Sequence, residues 1–213
     1  MSDGSIRAVL FDADGVVQTG GPFAQHACEL LGCDGDGFTA FLSELFSHPL
    51  FAGCLDSGEP FLPVLEAVLD RRSCPTPPEQ FLADWLRIGI QPDPEVLELV
   101  ARLRAAGTVC SLATNQDPER ALYMDEELGY GRVFDHSFYS CRMRLRKPDL
   151  AYFHHMTSAL GLQPAMCLFL DDREENVGAA RQAGLKAEVV TATSEVAGLI
   201  RSHGLLPPMP AGV

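Results

Sequence analysis

"AVLFDADGVV", Ala8 to Val17, is the stretch on which the fold turns. Ala8 to Phe11 are apolar without alternation, as in a strand buried on both faces of a parallel sheet. The run ends on two carboxylates, Asp12 and Asp14, with Gly15 behind them. Charge of one sign at the end of a buried strand is costly unless a cation offsets it. The chain must therefore supply, or bind, something positive here.

Two further runs read the same way, "VCSLA" (109–113) and "CLFL" (167–170), and "AEVV" (187–190) is a weaker fourth. Helical patterns lie between them. "DPEVLELVARLRAAG" (93–107) opens on an N-cap and an N1 proline and closes on Gly107. "DPERALYMDEELG" (117–129) repeats that punctuation, and "REENVGAARQAG" (173–184) carries acids in its first turn. Alternating strands and helices predict an α/β fold, a Rossmann-like, doubly wound parallel sheet. Residues 17–92 break the rhythm. They hold no convincing strand but four amphipathic stretches, near 22–31, 37–47, 60–72 and 78–89, separated by prolines. The expectation is a core of 1–16 and 93–213 with a helical cap, 17–92, inserted after the first strand. That segment has three arginines, Arg71, Arg72 and Arg87, no lysine, and an excess of acids.

Net charge is −13, from 16 basic and 29 acidic residues. Such a surface argues against nucleic acid and anionic membranes as partners. No apolar run reaches the ~20 residues of a membrane span, and "MSDGSIRAVLFD" lacks the features of a secretion signal. Seven cysteines without a C-x-x-C pair read as reduced thiols, so a cytoplasmic protein is expected. An anionic substrate would need local cations, and the chain has only two lysines, Lys147 and Lys186.

In an open parallel sheet, ligands bind beyond the carboxyl ends of the strands. Asp12 and Asp14, Thr114 and Asn115, and Asp171 and Asp172 each follow a strand, and Lys147 stands before Pro148 at the mouth of another helix. These clusters should converge. Carboxylates gathered with all-oxygen ligation call for a divalent cation, Mg²⁺ by preference. A metal and a lysine among them suit a phosphate group, which the Thr114 hydroxyl and neighbouring N–H groups would hold. With one aspartate free to attack and another two residues on to handle protons, the chemistry becomes phosphoryl transfer through an aspartyl phosphate.

These motifs resemble those of the haloacid dehalogenase superfamily, in the branch with a helical cap after the first motif. "FDADGVV" is similar to the first motif, "LATNQ" to the second, "RKPD" to the third and "FLDDREENVGAARQAG" to the fourth. The resemblance implies Asp12 as nucleophile and metal ligand. It implies Asp14 as general acid/base, with a backbone carbonyl on the metal. Thr114, Asn115 and Lys147 would bind phosphate, and Asp171 and Asp172 the metal, the first partly through water. Asn176 would support the acidic loop, and Gly15 the turn into the cap. An acid at position 14, where dehalogenases carry a different residue, favours phosphorus chemistry. The absence of a cap lysine disfavours phosphonate cleavage. The reading is a Mg²⁺-dependent phosphatase acting on a small-molecule phosphate ester. A sugar-phosphate mutase and a non-catalytic binding relative stay open as alternatives.

Arg142, Arg144 and Arg146, spaced by two, would share one face of an extended segment. They read as surface ion-pair formers. "GCDGDGF" (32–38) fails as a calcium loop and reads as a helix-to-helix turn. Trp85 reads as cap core.

Overall fold

In the computed structural model, which describes residues 5–206, the opening run forms strand β1 (Ala8–Phe11). Its side chains alternate between two buried clusters, Val9 and Phe11 on one face and Ala8 and Leu10 on the other. That is why the run is apolar throughout. The other strands are β2 (Gln18–Gly20), β3 (Ile90–Pro92), β4 (Val109–Thr114), β5 (His136–Tyr139), β6 (Cys167–Asp171) and β7 (Lys186–Val189). Five of them form one parallel sheet in the order β5-β4-β1-β6-β7. β1 is central. Phe11 pairs in register with Leu112 on one side and Leu170 on the other, so Asp12 emerges beside the ends of β4 and β6.

Helices cover both faces. On the Val9 side lie α6 (Pro94–Ala105), α7 (Pro118–Glu126), α8 (Tyr130–Val133) and α12 (Val196–Ser202). On the Ala8 side lie α10 (Leu150–Leu160) and α11 (Glu174–Gln182). The punctuation works as read. Asp93 Oδ1 accepts from the N–H groups of Glu95 and Val96, and Asp117 from that of Arg120, each with proline at the start of the helix.

Between β2 and β3 run α1 (Phe23–Leu31), α2 (Gly35–Phe46), α3 (Phe51–Asp56), α4 (Leu62–Arg71) and α5 (Pro78–Gly89), around a third cluster that includes Phe23, Phe41, Phe61 and Phe81. The Gly/Asp-rich stretch is shorter as a turn than read: only Gly32 to Asp34 join α1 to α2, Gly35 to Phe38 form the first turn of α2, and Asp34 caps that helix through the N–H of Gly37. Two expectations need correction. Residues 17–92 do contain strand: β2 and β3 pair antiparallel, Gln18 opposite Pro92, and tie the entry and exit of the helical segment together. Three-residue strands are too short to show a period. Arg142, Arg144 and Arg146 share no extended face either. Arg142 lies in α9 (Ser140–Met143), where it pairs with Asp125 and sits over the Tyr139 ring, and Arg144 closes that turn at φ 56°. Arg146 reaches Asp56 of the helical segment at 3.6 Å.

A second tie crosses the same gap. Glu119, in the first turn of α7, accepts hydrogen bonds from the Phe61 N–H (2.9 Å) and the Leu62 N–H (3.2 Å) at the start of α4. No helix among the described residues is long and apolar enough to cross a membrane.

Candidate active site

The strand ends bring the polar clusters together. Asp12, Asp14, Thr114, Asn115, Lys147, Asp172 and Asn176 line one small cavity of about 190 Å³. Among them Lys147 is almost wholly buried. Its Nζ lies 2.9 Å from Asp12 Oδ1 and donates to Asp171 Oδ2 at 2.6 Å. The second Asp171 oxygen accepts from the Arg173 N–H and from Asn176 Nδ2, both at 2.9 Å. Both oxygens of Asp171 are thus engaged by protein donors. Asn115 works on the same lysine from behind. Its side chain accepts from the Lys147 N–H and donates to the Lys147 carbonyl, each at 2.9 Å. The Asn115 side-chain amide is thus engaged by the lysine loop, which leaves its backbone N–H for a phosphate. Gly15 lies at φ 79°, and a Cβ there would meet Asp172 Oδ2 at 2.8 Å, so only glycine allows the two loops to approach.

The charges do not balance. Asp12, Asp171 and Asp172 offer one oxygen each within 4.8 Å of one another, and Lys147 is the only side-chain cation bonded to any of them among the described residues. Burial raises the Asp12 carboxyl to about 6, with Lys147 opposing and Asp171 adding to the rise. Burial, then the charge of Asp171, raises Asp172 as well. Burial works against a charged Lys147, but the two carboxylates prevail and its ammonium is held above the ordinary range. Surplus negative charge in an all-oxygen donor set fits a hard divalent cation.

The haloacid dehalogenase-like hydrolase family matches residues 6–184, which include every one of these side chains. The chain belongs to that family. A sesquiterpene phosphatase of Aspergillus oryzae is 31% identical over 97 residues, covering 45% of this chain and 49% of that protein. The chloroplast flavin mononucleotide hydrolase of Arabidopsis thaliana is 32% identical over 62 residues, 29% of this chain and 25% of that one. These matches therefore span half or less of each curated relative. Among solved structures, a haloacid dehalogenase family enzyme of Bacteroides thetaiotaomicron superposes with a TM-score of 0.76 at 18% identity, covering 92% of this chain and 99% of that one. The same enzyme has been crystallised with magnesium and inorganic phosphate, a structure that superposes with a TM-score of 0.71, at 18% identity, over 87% and 94% of the two chains.

The site also gathers side chains that the motifs did not reveal. Asp14 is clamped from three sides: Arg120 Nη2 at 2.6 Å, Gln18 Nε2 at 2.8 Å and Gln116 Nε2 at 3.0 Å. Burial alone would raise the Asp14 carboxyl, but the Arg120 guanidinium and these hydrogen bonds hold it below the usual range. Gln116 also donates to the Thr114 hydroxyl at 3.2 Å, joining Thr114 to Asp14. Gln116 is the last residue of "LATNQ", yet the motif alone gives it no role. Arg120 stands in "DPER", which reads only as the start of a helix.

Proposed function

We propose that this hydrolase is a Mg²⁺-dependent phosphatase that cleaves a small phosphorylated metabolite through an aspartyl phosphate. The observation that carries the reading is the cluster of buried Asp12 and Asp171 with exposed Asp172, bonded among the described residues by Lys147 as its single side-chain cation, beside Thr114 at the sheet's carboxyl edge. The phosphatase and hydrolase names of the curated relatives, and the magnesium and phosphate bound by the Bacteroides enzyme, support it. In this reading the described parts of 1–16 and 93–213, residues 5–16 and 93–206, form the catalytic core and 17–92 the cap; residues 1–4 and 207–213 lie outside the described residues.

The Asp12 and Asp172 carboxylates and the Asp14 carbonyl would hold Mg²⁺, with Asp171 contributing through water because its own oxygens are engaged. The bound ion would neutralise charge on the phosphoryl oxygens. Lys147 supplies the second cation, and Thr114 with the Asn115 N–H binds a phosphoryl oxygen. An Asp12 oxygen attacks phosphorus, the bond to the alcohol oxygen breaks, and that oxygen takes a proton from Asp14. Arg120 holds Asp14 ionised in the free site, so Asp14 takes up this proton from solvent as the anionic ester arrives and raises its basicity. Water then attacks the acyl phosphate and gives its proton back to Asp14. The bond from Asp12 to phosphorus breaks, leaving inorganic phosphate and a free carboxylate. Uncatalysed hydrolysis of such esters is so slow that the site must lower the barrier by roughly 20 kcal/mol.

The test is phosphate release from a panel of phosphate monoesters with Mg²⁺, with EDTA, and with Asp12→Asn. Metal-dependent turnover that falls on the order of a thousandfold in the variant is expected. Turnover unchanged in Asp12→Asn, or absent with every ester, would overturn the reading.

A further inference from the structure

A second, larger cavity adjoins the first, and its walls differ in kind. It measures about 460 Å³ and shares Asp14, Asn115 and Arg173 with the smaller one, so Asp14 stands at the junction. Toward the sheet its floor is polar: Gln116, Asp117 and Arg120. Toward the helical segment its wall is apolar, built from Phe46, Phe51, Phe61, Leu55, Trp85 and Leu86. The rings brace one another. Trp85 stacks on Phe23 at 5.5 Å and 4°, and Phe61 meets both Trp85 and Phe51 edge-on at 6.0 Å. Phe46 packs on Phe51 at 5.1 Å yet stays 50% exposed, apolar surface that an occupant of the cavity would cover.

Cations for a second anionic group are missing from this wall. Arg71 and Arg72 both pair with Glu44, at 2.7 and 2.9 Å, and Arg87 pairs with Asp84 at 2.9 Å. Of the two arginines that do line the cavity, Arg120 is bonded to Asp14 and Arg173 to Glu175. Asp14 and Asp117 add negative charge instead. A second phosphate or a carboxylate on the substrate would face carboxylates, aromatic rings and two arginines already engaged by Asp14 and Glu175, so its desolvation would be poorly compensated.

We infer that the leaving group is an uncharged, apolar alcohol of roughly ten to fifteen non-hydrogen atoms, at about 30 Å³ of cavity each, so that the substrate class is the phosphate monoester of a lipophilic alcohol. The inference rests on the phosphatase reading for the fate of the phosphate, and on the aromatic wall for the alcohol. It removes the ground for a sugar-phosphate mutase, which needs cations for the far end of its substrate.

Octyl phosphate, ethyl phosphate and glucose 6-phosphate are all esters of primary alcohols, so their leaving oxygens are of similar basicity and they differ in what the larger cavity would hold. kcat/KM for octyl phosphate should exceed that for each of the others by at least about tenfold, the discrimination a single methylene can give in an apolar pocket. Leu86→Glu and, separately, Phe51→Ala should remove most of that preference while leaving inhibition by inorganic phosphate unchanged. Binding is read independently of turnover, because Trp85 is the only tryptophan. 1-Octanol without phosphate or metal should shift its emission to the blue as water leaves the wall. Glucose 6-phosphate turned over as well as octyl phosphate, with no emission shift, would overturn the inference and spare the phosphatase reading. An emission shift with no ester hydrolysed would do the reverse: the phosphatase reading falls and the apolar site stands.

Discussion

Asp117 caps α7 through the Arg120 N–H at 2.9 Å, a task that a neutral side chain performs as well. Yet it is an acid only 8% exposed, and burial raises its carboxyl to about 6, with the capping hydrogen bond and Arg120 opposing the rise. The folded state thus holds this proton more tightly than the unfolded chain, where the value is about 3.9. The contribution to stability is therefore fully present at low pH and is lost as pH rises from about 4 through about 6. A shift of about two units corresponds to about 3 kcal/mol at neutral pH, reduced by the favourable charge of an ionised cap near a helix N-terminus. Asp117→Asn should gain about 2 kcal/mol in urea unfolding at pH 7.5 and only a fraction of that at pH 4. A gain of equal size at both values, or none, would show that burial of this charge is not the cause. At this scale the sequence is uneven. Asp12, Thr114 and Asp171 were legible because strand ends in a parallel sheet share one edge, and Lys147 because it is one of only two lysines in an acidic chain. Arg120, Gln18 and Gln116 were not, because they meet at Asp14 only through the way α7 and the turn after β1 are set in space.

Elements with a strong internal period were read to within a few residues, whereas those defined by their neighbours were missed. β5 is an edge strand of four residues, "HSFY", half polar and without its own signal; it exists because β4 offers it a partner. β2 and β3 exist only as a pair. α3 follows Pro49 in six residues, too few to display a stripe. Contacts between elements are the least visible of all, and Glu119 is the clearest of them. α4 starts at Leu62 with no capping side chain of its own, so its first N–H groups would be left to solvent. Glu119 supplies the acceptor from α7 instead, placing negative charge at the helix N-terminus and fixing Phe61, a wall of the larger cavity. Glu119→Ala should lower stability by about 1 kcal/mol, the usual value of a lost cap. Amide exchange should speed up at Phe61 and Leu62 but not in β1. Glu119→Gln, which keeps one acceptor oxygen, should restore most of the protection. Unchanged exchange in the alanine variant would mean that packing alone holds the helical segment over the sheet.

For the whole molecule, the acidic balance and the site state one fact at two ranges. A net charge of −13 leaves no diffuse positive field to draw an anion in, so attraction must be local, from Lys147 and from a cation that the carboxylates themselves recruit. The fold tolerates that surplus charge because β1, β4 and β6 carry large buried clusters on both faces of the sheet. A site built for a missing cation should be a local weakness without one. Asp172 puts this to the test. Its side chain is largely exposed and makes no bond that β6 needs, and partial desolvation, then the charge of Asp171, raises its carboxyl. With EDTA, Asp172→Asn should therefore be more stable than the natural chain, by about 1 kcal/mol or ~2–4 °C in Tm for a chain of this size. With Mg²⁺ in millimolar excess the natural chain should rise in Tm as the ion binds the folded state alone, and the variant should rise much less. The order of the two proteins would then reverse between the two buffers. A variant that is less stable in EDTA would show that Asp172 supports the loop for its own sake. A natural chain unmoved by Mg²⁺ would remove the cation from the account of the site.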